Sequence, residues 1–183
     1  VMPREIAVRT LELVTGNEYG ERLDYLSVWL AKLLQVLFAC GSVYLLWRIV
    51  ARFSGAAAAV LPALLLATSA GFIVQAHLIS TDLPVVFFML LAFWACQRVY
   101  EKQTLRAYVL AGLCIGLTGA MKYNGLVVGL ALPVFHYFGQ LRQGLFRATI
   151  DPRYIAGLAS VPAGFLFGNP YSGIEFNRFA ADL

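Results

Sequence analysis

The sequence predicts an all-α membrane protein: a polytopic helix bundle of about six transmembrane helices plus an N-terminal interfacial helix. Three observations carry this. The chain is 60% hydrophobic with a mean hydropathy of +0.73, above the roughly half-apolar composition of soluble domains. Only 13% of residues are charged, and they sit in short clusters between long apolar runs, so the runs lack the polar face that a helix in water needs. Finally, the clusters alternate between basic and acidic along the chain, the pattern of loops on two sides of a bilayer.

The elements follow in order. Over residues 3–14, at 100° per residue, Glu5, Arg9 and Glu12 share one face and Ile6, Ala7, Leu11, Leu13 and Val14 the other. Beside membrane spans this reads as a helix lying on the bilayer surface, broken by Gly16, Asn17 and Gly20. Span one is expected from about Leu26 to Val50, closed by Arg48, Arg52 and Ser54-Gly55. Span two is expected over Ala56–Val74, span three over Leu83–Cys96, span four over Ala107–Met121, span five over Gly125–Phe138 and span six over Tyr154–Phe167. A crossing takes about 20 residues at 1.5 Å each. The later spans are shorter, so they cross only if their ends lie below the surface or if helix continues into the flanking polar residues.

The loops set the orientation. One set holds Arg48, Arg52, Arg98, Lys102, Arg106, Arg142, Arg147 and Arg153, with Glu101 and Asp151 as its acids; the alternate set holds Glu5, Glu12, Glu18, Glu21, Asp24, Asp82, Glu175 and Asp182, with His77 and the Lys122 turn. The positive-inside rule makes the first set cytoplasmic. The chain then divides into a non-cytoplasmic juxtamembrane segment (1–25), a transmembrane bundle (26–168) and the start of a non-cytoplasmic loop (169–183). Starting at Val1, the chain is expected to be a piece of a longer protein, inactive by itself. Pro62, Pro133 and Pro162 lie within spans and are expected to kink them. Gly112 with Gly116, and Gly125 with Gly129, are spaced for close helix approach. Cys40, Cys96 and Cys114 read as buried, unpaired small hydrophobes. The net charge of +4 is a matter of loop topology and implies no nucleic-acid partner. No phosphate loop, dinucleotide fingerprint or zinc motif is present.

Ionisable residues at the ends of short spans are the places to look for chemistry, because charge in a bilayer is costly. The first is the stretch Gln75–Pro84, joining spans two and three on the outer side. Its Asp82 can accept a proton from a hydroxyl, hold a sugar hydroxyl or ligate a divalent metal. Equally, Asp82 followed by Leu83-Pro84 is a good helix start, with the carboxylate as N-cap. His77 can donate to a phosphate or simply sit at the interface. The second is Lys122-Tyr123-Asn124-Gly125, the outer turn between spans four and five. Lys122 there suits a lipid phosphate as a point charge or snorkels to the surface; Tyr123 fits an aromatic belt and Asn124-Gly125 a tight turn. The third is Asn169-Pro170-Tyr171, where span six leaves the membrane; it reads as a helix stop, with Tyr171 able to face a cavity. The fourth is Lys32 with Gln35 near the outer end of span one, able to meet an anion or to snorkel.

Taken together, Ala76-His77-Leu78 to Thr81-Asp82-Leu83-Pro84, Ala111-Gly112-Leu113 to Gly116-Leu117, Met121-Lys122-Tyr123-Asn124-Gly125, and Asn169-Pro170-Tyr171 with Phe179 and Asp182-Leu183 resemble the dolichyl-phosphate-mannose protein mannosyltransferase-like family of C-type glycosyltransferases, over about residues 26–183. The resemblance implies an enzyme that takes a sugar from a polyprenyl-phosphate carrier on the non-cytoplasmic face and passes it to a protein, lipid or glycan acceptor, typically with inversion. It implies that Lys122 stabilises the departing phosphate, with Tyr123, Asn124 and Tyr171 beside it, that Asp82 is the second acidic position and that His77 is a supporting donor. A divalent metal ion is the one cofactor left open. The family's first acidic motif follows an earlier helix; Glu18, Glu21 and Asp24 lie on the correct side but do not match its pattern.

The expected function is thus an integral membrane glycosyltransferase, with membrane lipids around it, in a prokaryotic plasma membrane with its active face outside the cytoplasm. A transporter or flippase for a lipid-linked or small anionic substrate is the alternative, its prolines and glycines then acting as hinges. A non-catalytic assembly subunit is the third reading.

Overall fold

A computed structural model describes residues 2–140 and 149–170, with side chains from Tyr25 onward. The described residues form helices joined by short turns and contain no strand. In chain order they are α1 (Met2–Ser54), α2 (Val60–Thr68), α3 (Ala70–His77), α4 (Asp82–Lys102), α5 (Leu105–Met121), the 3-10 helix η1 (Tyr123–Leu130), α6 (Ala131–Gln140) and α7 (Pro152–Gly168).

Each of the six apolar segments expected to be spans is largely helical, and helix continues into flanking polar residues, as α4 does in reaching Arg98 and Lys102. By length and composition, two described helices suffice for a full crossing, Tyr25–Ser54 and Asp82–Lys102. A third is added if the bent pair α2–α3 counts as one span, and Leu105–Met121 is a shorter apolar helix.

Three local expectations are corrected. The break at Gly16, Asn17 and Gly20 is absent, since α1 runs unbroken for 53 residues. A glycine inside a helix costs only about 1 kcal/mol against alanine, and no proline interrupts this stretch. Span two does break, by 57°, but at Ser69 and not at Pro62, which lies in the first turn of α2 where a missing N–H is harmless. Ser69 leaves the helical region at φ −63°, ψ 123°, next to Thr68, whose hydroxyl is turned back onto the Leu64 carbonyl, a local competition that weakens the ladder. Pro133 likewise falls in the first turn of α6. Only Pro162 is inside its helix.

The core lies where α4, α5, η1 and α6 meet. Ala92, Ala95, Cys96 and Val99 of α4 face Ala107, Tyr108, Ala111, Cys114 and Ile115 of α5, with Val128 and Leu132 closing the cluster. Small side chains predominate, so the backbones approach closely. The most extensive pairing is α5 with α7. A methyl group on Gly112 would overlap the Gly157 carbonyl oxygen, one on Gly116 that of Val161, and one on Gly164 that of Leu113. The spacing of Gly112 and Gly116 therefore marks a helix interface. Gly125 packs on Thr118. Cys96 and Cys114 are buried, whereas Cys40 is exposed on α1, and all three are free thiols.

Candidate functional site

The antiparallel course of α4 and α5 determines which motifs meet. α4 begins at Asp82 and α5 ends at Met121, so the two polar turns lie at one end of the bundle. There Lys122 Nζ donates to Asp82 Oδ1 at 2.9 Å. Both side chains are about half exposed, 50% and 42%, which leaves room for a ligand beside either. Asp82 is the first residue of α4; no side chain caps that helix. The N-cap role is therefore not the one observed, because the carboxylate is turned to Lys122.

The stretch before Asp82 is held from α1. The buried Gln35 donates through Nε2 to the Ser80 carbonyl, and Ser80 Oγ donates to Gln75 Oε1 at 3.0 Å. Gln35 thus organises the turn, while Lys32 is exposed on the same helix. His77 closes α3 and donates from Nδ1 to the Ile73 carbonyl at 2.8 Å, which leaves Nε2 as its second ring nitrogen. His77 is exposed. Tyr123 stacks on Phe165 of α7 with ring centroids 6.5 Å apart, tying the Lys122 turn to the end of span six. Asn124 is exposed at the start of η1. Gly168 packs against Ala120 and Leu117, so Asn169 and Pro170 leave the bundle at the Lys122 end. Tyr171 lies outside the described residues. No group of three His, Cys, Asp or Glu side chains gathers among the described residues; as a metal ligand Asp82 has no such company there.

An apolar hollow of about 620 Å³ runs between α1 and the α2–α3 pair, from Trp47 to Ala76. It ends one residue before His77.

The other end of the bundle carries a polar network that was not singled out from the sequence. Tyr108 and the fully buried His136 share a hydrogen bond of 2.6 Å. His136 stacks on Tyr154, centroids 4.3 Å apart. Gln140 donates to Asp151 Oδ2 at 2.7 Å, and the Arg153 backbone N–H to Oδ1 at 2.9 Å. Arg153 also donates to the Gln103 carbonyl, and Gln103 to that of Gly139. Burial works to raise the Asp151 carboxyl, but the Gln140 and Arg153 hydrogen bonds, with the positive charge of Arg153, hold it below its usual range. A signal was available: His136 and Gln140 are four apart on one face of an otherwise apolar helix.

An all-α bundle of apolar helices, with a carboxylate–ammonium pair at one end and arginines at the other, defines a polytopic membrane protein. The sequence model of the dolichyl-phosphate-mannose-protein mannosyltransferase family matches residues 23–161, which takes in both Asp82 and Lys122. The chain belongs to that family, and so to the membrane glycosyltransferases. Searches among curated proteins and among solved structures returned no match.

Proposed function

We propose that this chain transfers a sugar from a polyprenyl-phosphate carrier to a protein, lipid or glycan acceptor, and that the Lys122–Asp82 pair belongs to its reaction site. The contact between the two side chains carries the reading, because it joins a cation suited to a phosphate with a carboxylate suited to a hydroxyl. In such a transfer the acceptor oxygen bonds to the anomeric carbon as the bond from that carbon to the phosphate oxygen breaks. The electron pair leaves with the carrier phosphate, and the acceptor proton passes to a base. Lys122 stabilises the developing phosphate charge. A phosphate arriving beside Lys122 replaces Asp82 as the ammonium's partner and releases the carboxylate to the acceptor hydroxyl. His77 and Asn124 supply further donors at the rim, with Tyr123 beside Lys122 in the turn. The apolar hollow ending at Ala76 suits the prenyl chain.

The arginines at the opposite end support a cytoplasmic placement for that end, and so a non-cytoplasmic face for Asp82 and Lys122, in a prokaryotic plasma membrane. The test is sugar transfer by Asp82→Asn and Lys122→Met in the full-length protein. Loss in both supports the site, and unchanged turnover in both removes it. Flux across proteoliposomes with no glycosyl product would support the transporter reading instead.

A further inference from the structure

Between the ends of α1 and α4 lies a second recess, of about 440 Å³, far from the Lys122–Asp82 pair. Along α4, Gln97 stands 15 residues beyond Asp82, roughly 22 Å at 1.5 Å per residue. The recess is lined by Arg48 and Arg52 from α1 and by Arg98, Glu101 and Lys102 from α4. Arg52 is engaged by Glu101. Arg48 and Arg98 lie over the rings of Tyr44 and Trp94, at 5.9 and 4.8 Å from their centroids, which positions the guanidinium groups and leaves their N–H donors for a ligand. Four cations against one carboxylate make the recess strongly positive.

Gln97 is among its lining residues and is 3% exposed. Its Nε2 has no hydrogen-bond partner among the described residues. A buried amide donor without an acceptor costs about 1–3 kcal/mol, so an acceptor atom belongs there. The same Gln97, with Arg52 and Glu101, also borders an apolar hollow of about 610 Å³ walled by Phe53, Val134, Phe135 and Phe138. A polar, cationic recess and an apolar one thus share a wall.

We propose that this pair of recesses binds an anionic phospholipid. Its phosphate sits among Arg48, Arg98 and Lys102 and accepts from Gln97, and an acyl chain lies in the phenylalanine-lined hollow. Charge complementarity favours an acidic headgroup over a zwitterionic one, and the adjoining hollow favours an amphiphile over a free phosphate. The site is separate from the proposed transfer site and does not rest on it.

The chain's three tryptophans are Trp29, Trp47 and Trp94. Replacing the first two, and any tryptophan outside these 183 residues, with Phe leaves Trp94, in the basic recess, as the reporter. The full-length protein is placed in phosphatidylcholine vesicles containing rising fractions of chain-brominated phosphatidylglycerol or brominated phosphatidylcholine, and Trp94 quenching is followed. The expected half-point for phosphatidylglycerol is at least about fivefold lower in mole fraction, and it moves upward as salt is raised from about 0.05 to about 0.5 M. Arg48→Gln with Arg98→Gln, and separately Gln97→Leu, bring the phosphatidylglycerol half-point close to that of phosphatidylcholine, while Lys122→Met leaves it in place. Equal half-points for the two lipids in the reporter protein overturn the proposal without recourse to any site variant. Relief of quenching by millimolar glycerol 3-phosphate overturns the lipid assignment, because the headgroup alone would then account for binding.

Discussion

Lys122 Nζ and Asp82 Oδ1 are 2.9 Å apart although 40 residues separate them in sequence. α4 and α5 run up and down between the two, so the pair is a product of the hairpin and not of local sequence. Its exposure determines what it contributes. A half-exposed ion pair is worth about 0–1 kcal/mol to stability, too little to explain the pair as a structural clasp.

Lys122→Met is therefore expected to lower sugar transfer by about 100-fold or more, the scale set by removing a group that stabilises transition-state charge, while the melting temperature in detergent moves by no more than a few degrees. Asp82→Asn should do the same. Parallel transfer assays and melting curves check this. A fall in stability that matches the fall in activity would reassign both residues to the fold.

Gly112→Leu and Gly116→Leu should each destabilise the bundle by about 3 kcal/mol, at the upper end for overpacking. A side chain on either glycine meets the backbone of α7, at Gly157 or Val161, which cannot rotate away as a side chain can. Gly71, where added atoms meet nothing nearby, is the control, and Gly71→Ala should be neutral or slightly stabilising in thermal unfolding.

Tyr108→Phe should cost about 1–3 kcal/mol, because it removes the hydroxyl and leaves the Nδ1 of the buried His136 without that hydrogen bond. Reversible unfolding in mixed micelles measures it. His136→Phe combined with Tyr108→Phe should cost less than the sum of the two single changes, since both ends of the bond are then apolar.

Asp151 provides the pH dependence. Its carboxyl is held below the ordinary value of 3.8 in the folded chain, so its contribution to stability is complete above that value and is lost as pH falls through the lower folded-state value. Wild type should lose this contribution progressively as pH falls below 3.8. Asp151→Asn, which keeps one of the two acceptor oxygens that Gln140 and Arg153 use and removes the charge, should flatten that part of the profile, as read from melting temperatures across acidic buffers.

Composition and the alternation of loop charge made the helical membrane class readable, and the order of the Asp82, Lys122 and Asn169 motifs pointed to one end of a bundle. Glycine spacing likewise marked Gly112 and Gly116 as an interface, though not that the partner is α7. Other features had a weak local signal or none. The break in span two falls at Ser69, beside Thr68 whose hydroxyl turns onto the Leu64 carbonyl, and Pro62 was the more visible breaker. His136 and Gln140 appear in sequence as stray polar residues, and only the approach of α5 and α7 supplies Tyr108 and Asp151. Gln97 is similar: one amide in an apolar run, whose position between two recesses arises from the packing of α1 and α6 on either side of α4.

The 3-10 helix after Lys122 has a further effect on reach. A 3-10 turn rises about 2.0 Å per residue against 1.5 Å in an α-helix. The eight residues of η1 therefore extend roughly 16 Å along their axis, where eight α-helical residues would reach only about 12 Å. The poorer hydrogen bonding of the 3-10 form is confined to this stretch beside Lys122, before α6 begins at Ala131.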